Sequence, residues 1–150
     1  DIAHATVDEA LRVVESGLTH IDVKAGKVTI PGYTVVANKT AFDYAERFVD
    51  GGVRYIFYSE VGGNGVIAEE HFEKISAFCK AVTARVICTS ELSSMPDIER
   101  LAKISVNAPR LDGIVLGKSL FEGRVDLRGS IAMVNDLMLA SGDESTMTEM

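Results

Sequence analysis

Four short stretches of this chain place reactive side chains next to residues that could hold a ligand. Asp22 stands between Ile21 and Val23, near the end of an apolar run. A carboxyl group there is a candidate general acid or base, because partial burial raises its pKa. The same carboxylate could instead bind backbone N–H groups of the loop that follows. Ser59 and Glu60 end a second apolar run and lead into Gly62-Gly63-Asn64-Gly65. Glycines let backbone turn tightly and approach a ligand, and they also make ordinary turns. Thr89, Ser90 and Glu91 follow a third run, ahead of Ser93-Ser94. Gly117-Lys118-Ser119 follows a fourth, where a glycine and a cation could hold a phosphate on backbone N–H groups. It is no Walker motif, because Asp112 occupies the position of that motif's earlier glycine.

Other reactive residue types point nowhere in particular. His4, His20 and His71 are scattered and lack metal-ligand spacing. His20 reads as flanking a strand and His71 as a surface helix residue. No Ser–His–Asp arrangement can be argued from their order. Cys79 and Cys88 form no CxxC pair and sit in apolar surroundings, which reads as two free buried thiols. The charged run 97–100 reads as a solvated helix face.

The elements that position these residues alternate in period. Residues 7–16 have helical apolar spacing, with Thr6 or Asp8 as cap and Gly17 as stop. Residues 18–24 read as a strand, 41–49 as a helix, and 53–58 as a dense buried strand. Helices are expected at 69–81, 95–104 and 127–139, and strands at 85–88 and 113–116. Residues 140–150 read as a loose polar tail. The strands begin near residues 18, 53, 85 and 113, so the repeat is roughly 30 to 35 residues, the length of a βα unit. Such alternation predicts a parallel sheet with outer helices. An open flavodoxin-like sheet and part of a (β/α)₈ barrel both fit. In either, functional groups gather at the C-terminal ends of the strands, where the four stretches lie.

The bulk numbers narrow the class. The chain has 150 residues, 47% hydrophobic and 25% charged, the balance of a soluble globular protein. Its net charge of −7 argues against a general nucleic-acid binder, yet leaves room for one phosphate held by local backbone N–H groups. No run of about 18 apolar residues suggests a membrane span, and the start lacks the pattern of a signal peptide. A cytoplasmic protein is expected.

At these residues the chain resembles a known family of histidine biosynthesis. It comprises the phosphoribosylformimino-aminoimidazole-carboxamide ribotide isomerase and its cyclase-subunit sibling. Ile21-Asp22-Val23-Lys24-Ala25-Gly26-Lys27-Val28, then Pro31-Gly32-Tyr33, resembles the family's fifth barrel strand. The family usually has Gly-Trp at Gly32-Tyr33. The stretch from Gly52 to Val61 is similar to the sixth strand, and Asn64-Gly65 to the Asp-Gly beyond it. Arg85-Val86-Ile87-Cys88 is similar to the seventh. The stretch from Gly113 to Arg124 is similar to the eighth, and its Gly117-Lys118-Ser119-Leu120-Phe121-Glu122-Gly123 is the most specific match.

The resemblance implies four βα units of a (β/α)₈ barrel, a half barrel over residues 1–139 with a flexible tail at 140–150. It implies an Amadori rearrangement of a phosphorylated aminoaldose to an aminoketose, with no metal or organic cofactor. Asp22 would be the acid, and Ser59 would stand for the family's usual threonine. Gly63, Asn64, Gly65, Ser90, Gly117 and Lys118 would bind substrate and its phosphate. The base would come from the barrel's first strand, outside this chain. Four units cannot close a barrel, so the N-terminal half or a second copy is expected to complete it. The absent initiator methionine and the start within a helix favour a fragment or subunit. Two features depart from the pattern in ways that matter to an anion. Asn64 replaces an aspartate, and Ser90-Glu91 replaces a Gly-Gly phosphate loop, setting a carboxylate near a dianion. They motivate a second reading, a non-catalytic or differently specific phosphosugar-binding paralogue. A third is a different phosphate-using lyase or synthase.

Overall fold

The computed structural model describes residues 17–24, 27–30, 34–60, 69–88 and 94–148. The expected first helix, with Thr6 and Asp8, lies outside them. Gly17 adopts φ +66°, the left-handed conformation that suits a glycine stop.

Four strands form the expected parallel array. They are β1 (Leu18–Lys24), β4 (Tyr55–Glu60), β5 (Arg85–Cys88) and β6 (Leu111–Ile114). Two more, β2 (Lys27–Ile30) and β3 (Thr34–Thr40), were not expected. They fold back antiparallel and give a six-stranded sheet in the order β3-β2-β1-β4-β5-β6. The sheet is therefore mixed: antiparallel at the β2–β3 end and parallel across β1, β4, β5 and β6. The last strand lies two residues earlier than the apolar run 113–116 suggested. Val115 still donates its N–H to the carbonyl of Cys88 at 2.8 Å.

Helices α1 (Ala41–Asp50), α2 (Glu69–Ala81), α3 (Met95–Asn107), α4 (Lys118–Phe121) and α5 (Leu127–Thr148) complete the described elements. Thr40 starts α1: its Oγ accepts the Asp43 N–H at 3.2 Å, while the Asp43 carboxylate accepts the Thr40 N–H at 3.1 Å. This reciprocal cap satisfies two donors that the first turn leaves without helical acceptors. Helices α1 and α3 turn stripes at three- and four-residue spacing to the sheet: Ala41, Tyr44 and Ala45 in α1, and Ile98, Leu101 and Ala102 in α3. In α2 the buried residues are Phe72, Ile75, Phe78 and Cys79.

The strands meet these helices with one face. Ile21, Val23, Ile56, Tyr58, Val86 and Cys88 are buried there. Fully burying one such side chain is worth about 1.5–3 kcal/mol, which fixes the register, since a one-residue slip would turn all of them to the other face. Leu18, His20 and Asp22 alternate onto the opposite face, as do Tyr55, Phe57 and Ser59. Among the described residues no helix covers that face. It is the surface that lines the interior when such strands close into a barrel.

Three readings of the helices need correction. The run at 97–100 is more than a solvated face: Arg100 pairs with Glu69 and lies 4.5 Å from the ring centre of Phe72, tying α3 to α2. His71 is half-buried rather than on the surface. The last helix does not end at Leu139 but runs through the expected tail to Thr148.

Candidate active site at the strand ends

Asp22 and Ser59 are brought together by strand register. β1 and β4 pair in parallel, with His20 beside Phe57, Asp22 beside Ser59 and Val23 beside Glu60. Because side chains alternate, Asp22 and Ser59 share the open face at the C-terminal end of neighbouring strands. A carboxylate and a hydroxyl in adjacent register positions can address one small ligand: one takes or gives a proton, the other donates a hydrogen bond.

His20 joins them, and the sequence reading had set it aside. It lies within β1, two residues before Asp22 and on the same face. Its Nε2 is 3.1 Å from Asp22 Oδ1, hydrogen-bonding distance for a charge-assisted contact. Its ring centre lies 6.2 Å from that of Phe57, a tilted aromatic contact. The i, i+2 spacing of His and Asp inside a strand is the signal that could have found the pair. Reading His20 as flanking the strand leaves that spacing unused.

Gly117 and Lys118 end the far side of the parallel array. Three strand spacings separate β1 from β6, roughly 14 Å along the sheet. Gly117 precedes α4, with open space where a side chain would begin. Lys118 opens the helix and lies 3.6 Å from Glu122, which also pairs with Arg124 at 2.7 Å. Ser119 is buried and its carbonyl accepts the Arg124 N–H at 2.9 Å, folding the turn under the helix. The structure thus keeps Lys118 at a strand end but away from Asp22. Gly63, Asn64, Gly65, Ser90 and Glu91 lie outside the described residues.

A second feature is a cavity of about 350 Å³ between β6, α3 and α5, bounded by Ile98, Leu101, Leu111, Ile114, Leu127 and Ile131. It is apolar and opens at the β6 edge, on the helix side, so it is not where Asp22 and Ser59 act. Cys79 and Cys88 form no disulfide and are buried in the core, as expected. Burial, with Cys88 nearby, pushes the Cys79 thiol up to about 12. Among the described residues no three His, Cys, Asp or Glu side chains converge as metal ligands. Among them, too, no helix is long and apolar enough to cross a membrane.

Known proteins resemble the chain over this same region. The sequence pattern of the family described as histidine biosynthesis protein matches residues 4–126. A 1-(5-phosphoribosyl)-5-((5-phosphoribosylamino)methylideneamino) imidazole-4-carboxamide isomerase of Chelativorans sp. strain BNC1 is 35% identical over 114 residues, 76% of this chain and 46% of that protein. The isomerase of the same name from Xanthobacter autotrophicus is 32% identical over 114 residues, again 76% and 46%. That of Paramagnetospirillum magneticum is 30% identical over the same length and shares. The chain spans about half the length of the curated relatives it matches. A match over residues 4–126, most of the chain, makes this chain a member of the histidine biosynthesis protein family.

Proposed function

We propose that this chain supplies the acid-bearing half of a histidine-biosynthesis isomerase. The reaction is the Amadori rearrangement of a phosphoribosyl aminoaldose to its aminoketose. The observation that carries this is the register pairing of Asp22 with Ser59 at adjacent strand ends, in a chain whose relatives are named as isomerases of a bis-phosphoribosyl imidazole carboxamide.

The reaction asks little beyond proton transfer. An acid protonates the ring oxygen of the aminoaldose, and the C1–O bond breaks as the amino nitrogen forms C=N. A base then removes the C2 proton, and the enaminol becomes the ketone. Asp22 serves the acid side and Ser59 orients the substrate. Gly117 and Lys118 hold a phosphate, with Gly63, Asn64, Gly65 and Ser90 lining the substrate. No cofactor is required, and the protein acts in the cytoplasm. The base comes from four further strand–helix units, which also cover the open sheet face. The N-terminal half barrel supplies them, or a second copy of this chain does.

A second reading has a specific motive. Ser90 and Glu91 stand where the resemblance puts a Gly-Gly phosphate loop, and a carboxylate there repels a dianion. On this reading the chain binds a phosphosugar without converting it. An ultraviolet assay of aminoaldose isomerisation on the complete gene product decides between them. Turnover supports the isomerase and shows that Ser90 and Glu91 are tolerated. A folded protein without turnover, whose phosphate affinity rises when both residues become Gly, supports a decayed catalyst that still binds.

A further inference from the structure

We infer that His20 is a further catalytic residue of this reaction: held by Asp22, its imidazolium gives the proton to the substrate's ring oxygen. The inference rests on the isomerase reading and assigns its acid step to a pair rather than to Asp22 alone.

The geometry comes first. His20 Nε2 lies 3.1 Å from Asp22 Oδ1, and Ser59 is the cross-strand neighbour of Asp22. With Nε2 donating to the carboxylate, Nδ1 is the nitrogen left for a ligand. His20 side chain is 55% exposed on the open face, two residues deeper along β1 than Asp22. An exposed His–Asp pair contributes about 0–1 kcal/mol to stability, so the fold has little use for it.

Chemistry then distinguishes the two members. The imidazole has a second nitrogen and can hand a proton to a ligand from one side while the carboxylate orients it from the other. Among the described residues, these other groups share or border the face. On β4, Phe57 and Tyr55 carry no charge at neutral pH. On β5 and β6, Arg85 and Asp112 are 3.2 Å apart and offset each other. On β2, Lys27 is the register partner of Lys24, two positions past Asp22. A cation at this position also favours a phosphorylated substrate.

The step balances. The Nδ1 proton moves to the ring oxygen, and the C1–O bonding pair goes to that oxygen. The amino nitrogen lone pair forms C=N, and the base takes the C2 proton to give the enaminol. The enaminol hydroxyl returns its proton to the imidazole as the ketone forms, while the protonated base delivers its proton to C1.

The test compares the complete gene product with His20→Gln and His20→Ala across pH. Glutamine keeps an N–H donor for Asp22 but has no proton to transfer. The expected result is a kcat about 10²–10⁴-fold lower in His20→Gln, with KM little changed. Its alkaline limb should also move to lower pH, because a carboxyl group must now hold the proton. Added imidazole should restore turnover to His20→Ala and not to Asp22→Asn. Parental kcat and pH profile in His20→Gln, or no rescue by imidazole, overturns the inference while leaving the isomerase reading in place. A parent protein without turnover overturns both.

Discussion

At Ser59 the proposed chemistry depends on one hydroxyl. The resemblance puts threonine there, and both residues offer the same O–H donor. Ser59→Thr should therefore keep kcat within a few-fold of the parent. Ser59→Ala removes a hydrogen bond that meets developing charge, worth about 1.5–3 kcal/mol, so turnover should fall about 10–100-fold. Steady-state kinetics of the two variants checks this. Cys79 gives a residue-scale prediction of another kind. Its thiol is pushed up to about 12 by burial and by Cys88, from an ordinary 9.0. Native protein at pH 8 should leave Cys79 unmodified by iodoacetamide while denatured protein is labelled, as read by peptide mass spectrometry. The sign for stability follows: between pH 9 and 12 the unfolded thiol loses its proton before the folded one. This contribution is fully present below the unfolded value and is lost as pH rises through that window.

Elements raise the question of what holds the site's scaffold. The start of α5 rests on one carboxylate: Asp126 Oδ2 accepts the Gly129 N–H at 2.6 Å. The Ser130 hydroxyl below it is buried and donates to the Asp126 carbonyl at 2.7 Å. Asp126→Ala should cost about 0.5–2 kcal/mol of stability, measured by urea denaturation, without changing KM for substrate. The parallel strands were legible in the sequence because each is a dense apolar run at a βα repeat. The hairpin was not read, although its signal is present. Lys27-Val28-Thr29-Ile30 and Thr34-Val35-Val36 are β-rich runs separated by Pro31-Gly32-Tyr33, residues that also carry the family resemblance. β6 lies earlier than its most apolar run, because the strand includes Asp112, which pairs with Arg85 at 3.2 Å. The end of α5 was misjudged on polarity alone. Ser141 and Gly142 are poor helix formers, yet the helix passes through them, with the Ser141 hydroxyl donating to the Met138 carbonyl at 2.8 Å.

For the whole molecule, one face of the sheet is packed and the other open. Leu18 and Tyr55 on that face are each 37% exposed. At the β6 edge α5 shows Leu127, Ile131, Met138 and Leu139, and Phe121 is 90% exposed. Exposed apolar side chains thus lie on the open face and, separately, along α5 beside the β6 edge, surface that monomeric proteins usually cover. If further strand–helix units cover it, this 150-residue chain expressed alone should self-associate and bind a hydrophobic dye, and the complete gene product should do neither. Light scattering coupled to size exclusion checks it, and a monodisperse monomer of the chain alone without dye binding would count against it. The site was half legible at this scale. Asp22, Ser59, Gly117 and Lys118 could be read because strand ends are where such folds place function. His20 carried a signal too, since residues two apart in a strand face the same way, but reading it as a flank of the strand leaves that signal unused.

The central claim is that Asp22 serves the acid step of an aminoaldose isomerisation. The most direct measurement is the ultraviolet isomerisation assay on the complete gene product and its Asp22→Asn variant, with circular dichroism on both. Asparagine keeps the size and loses the charge. The account predicts normal folding with kcat at least about 10²-fold lower. Parental turnover in a folded Asp22→Asn protein would contradict it.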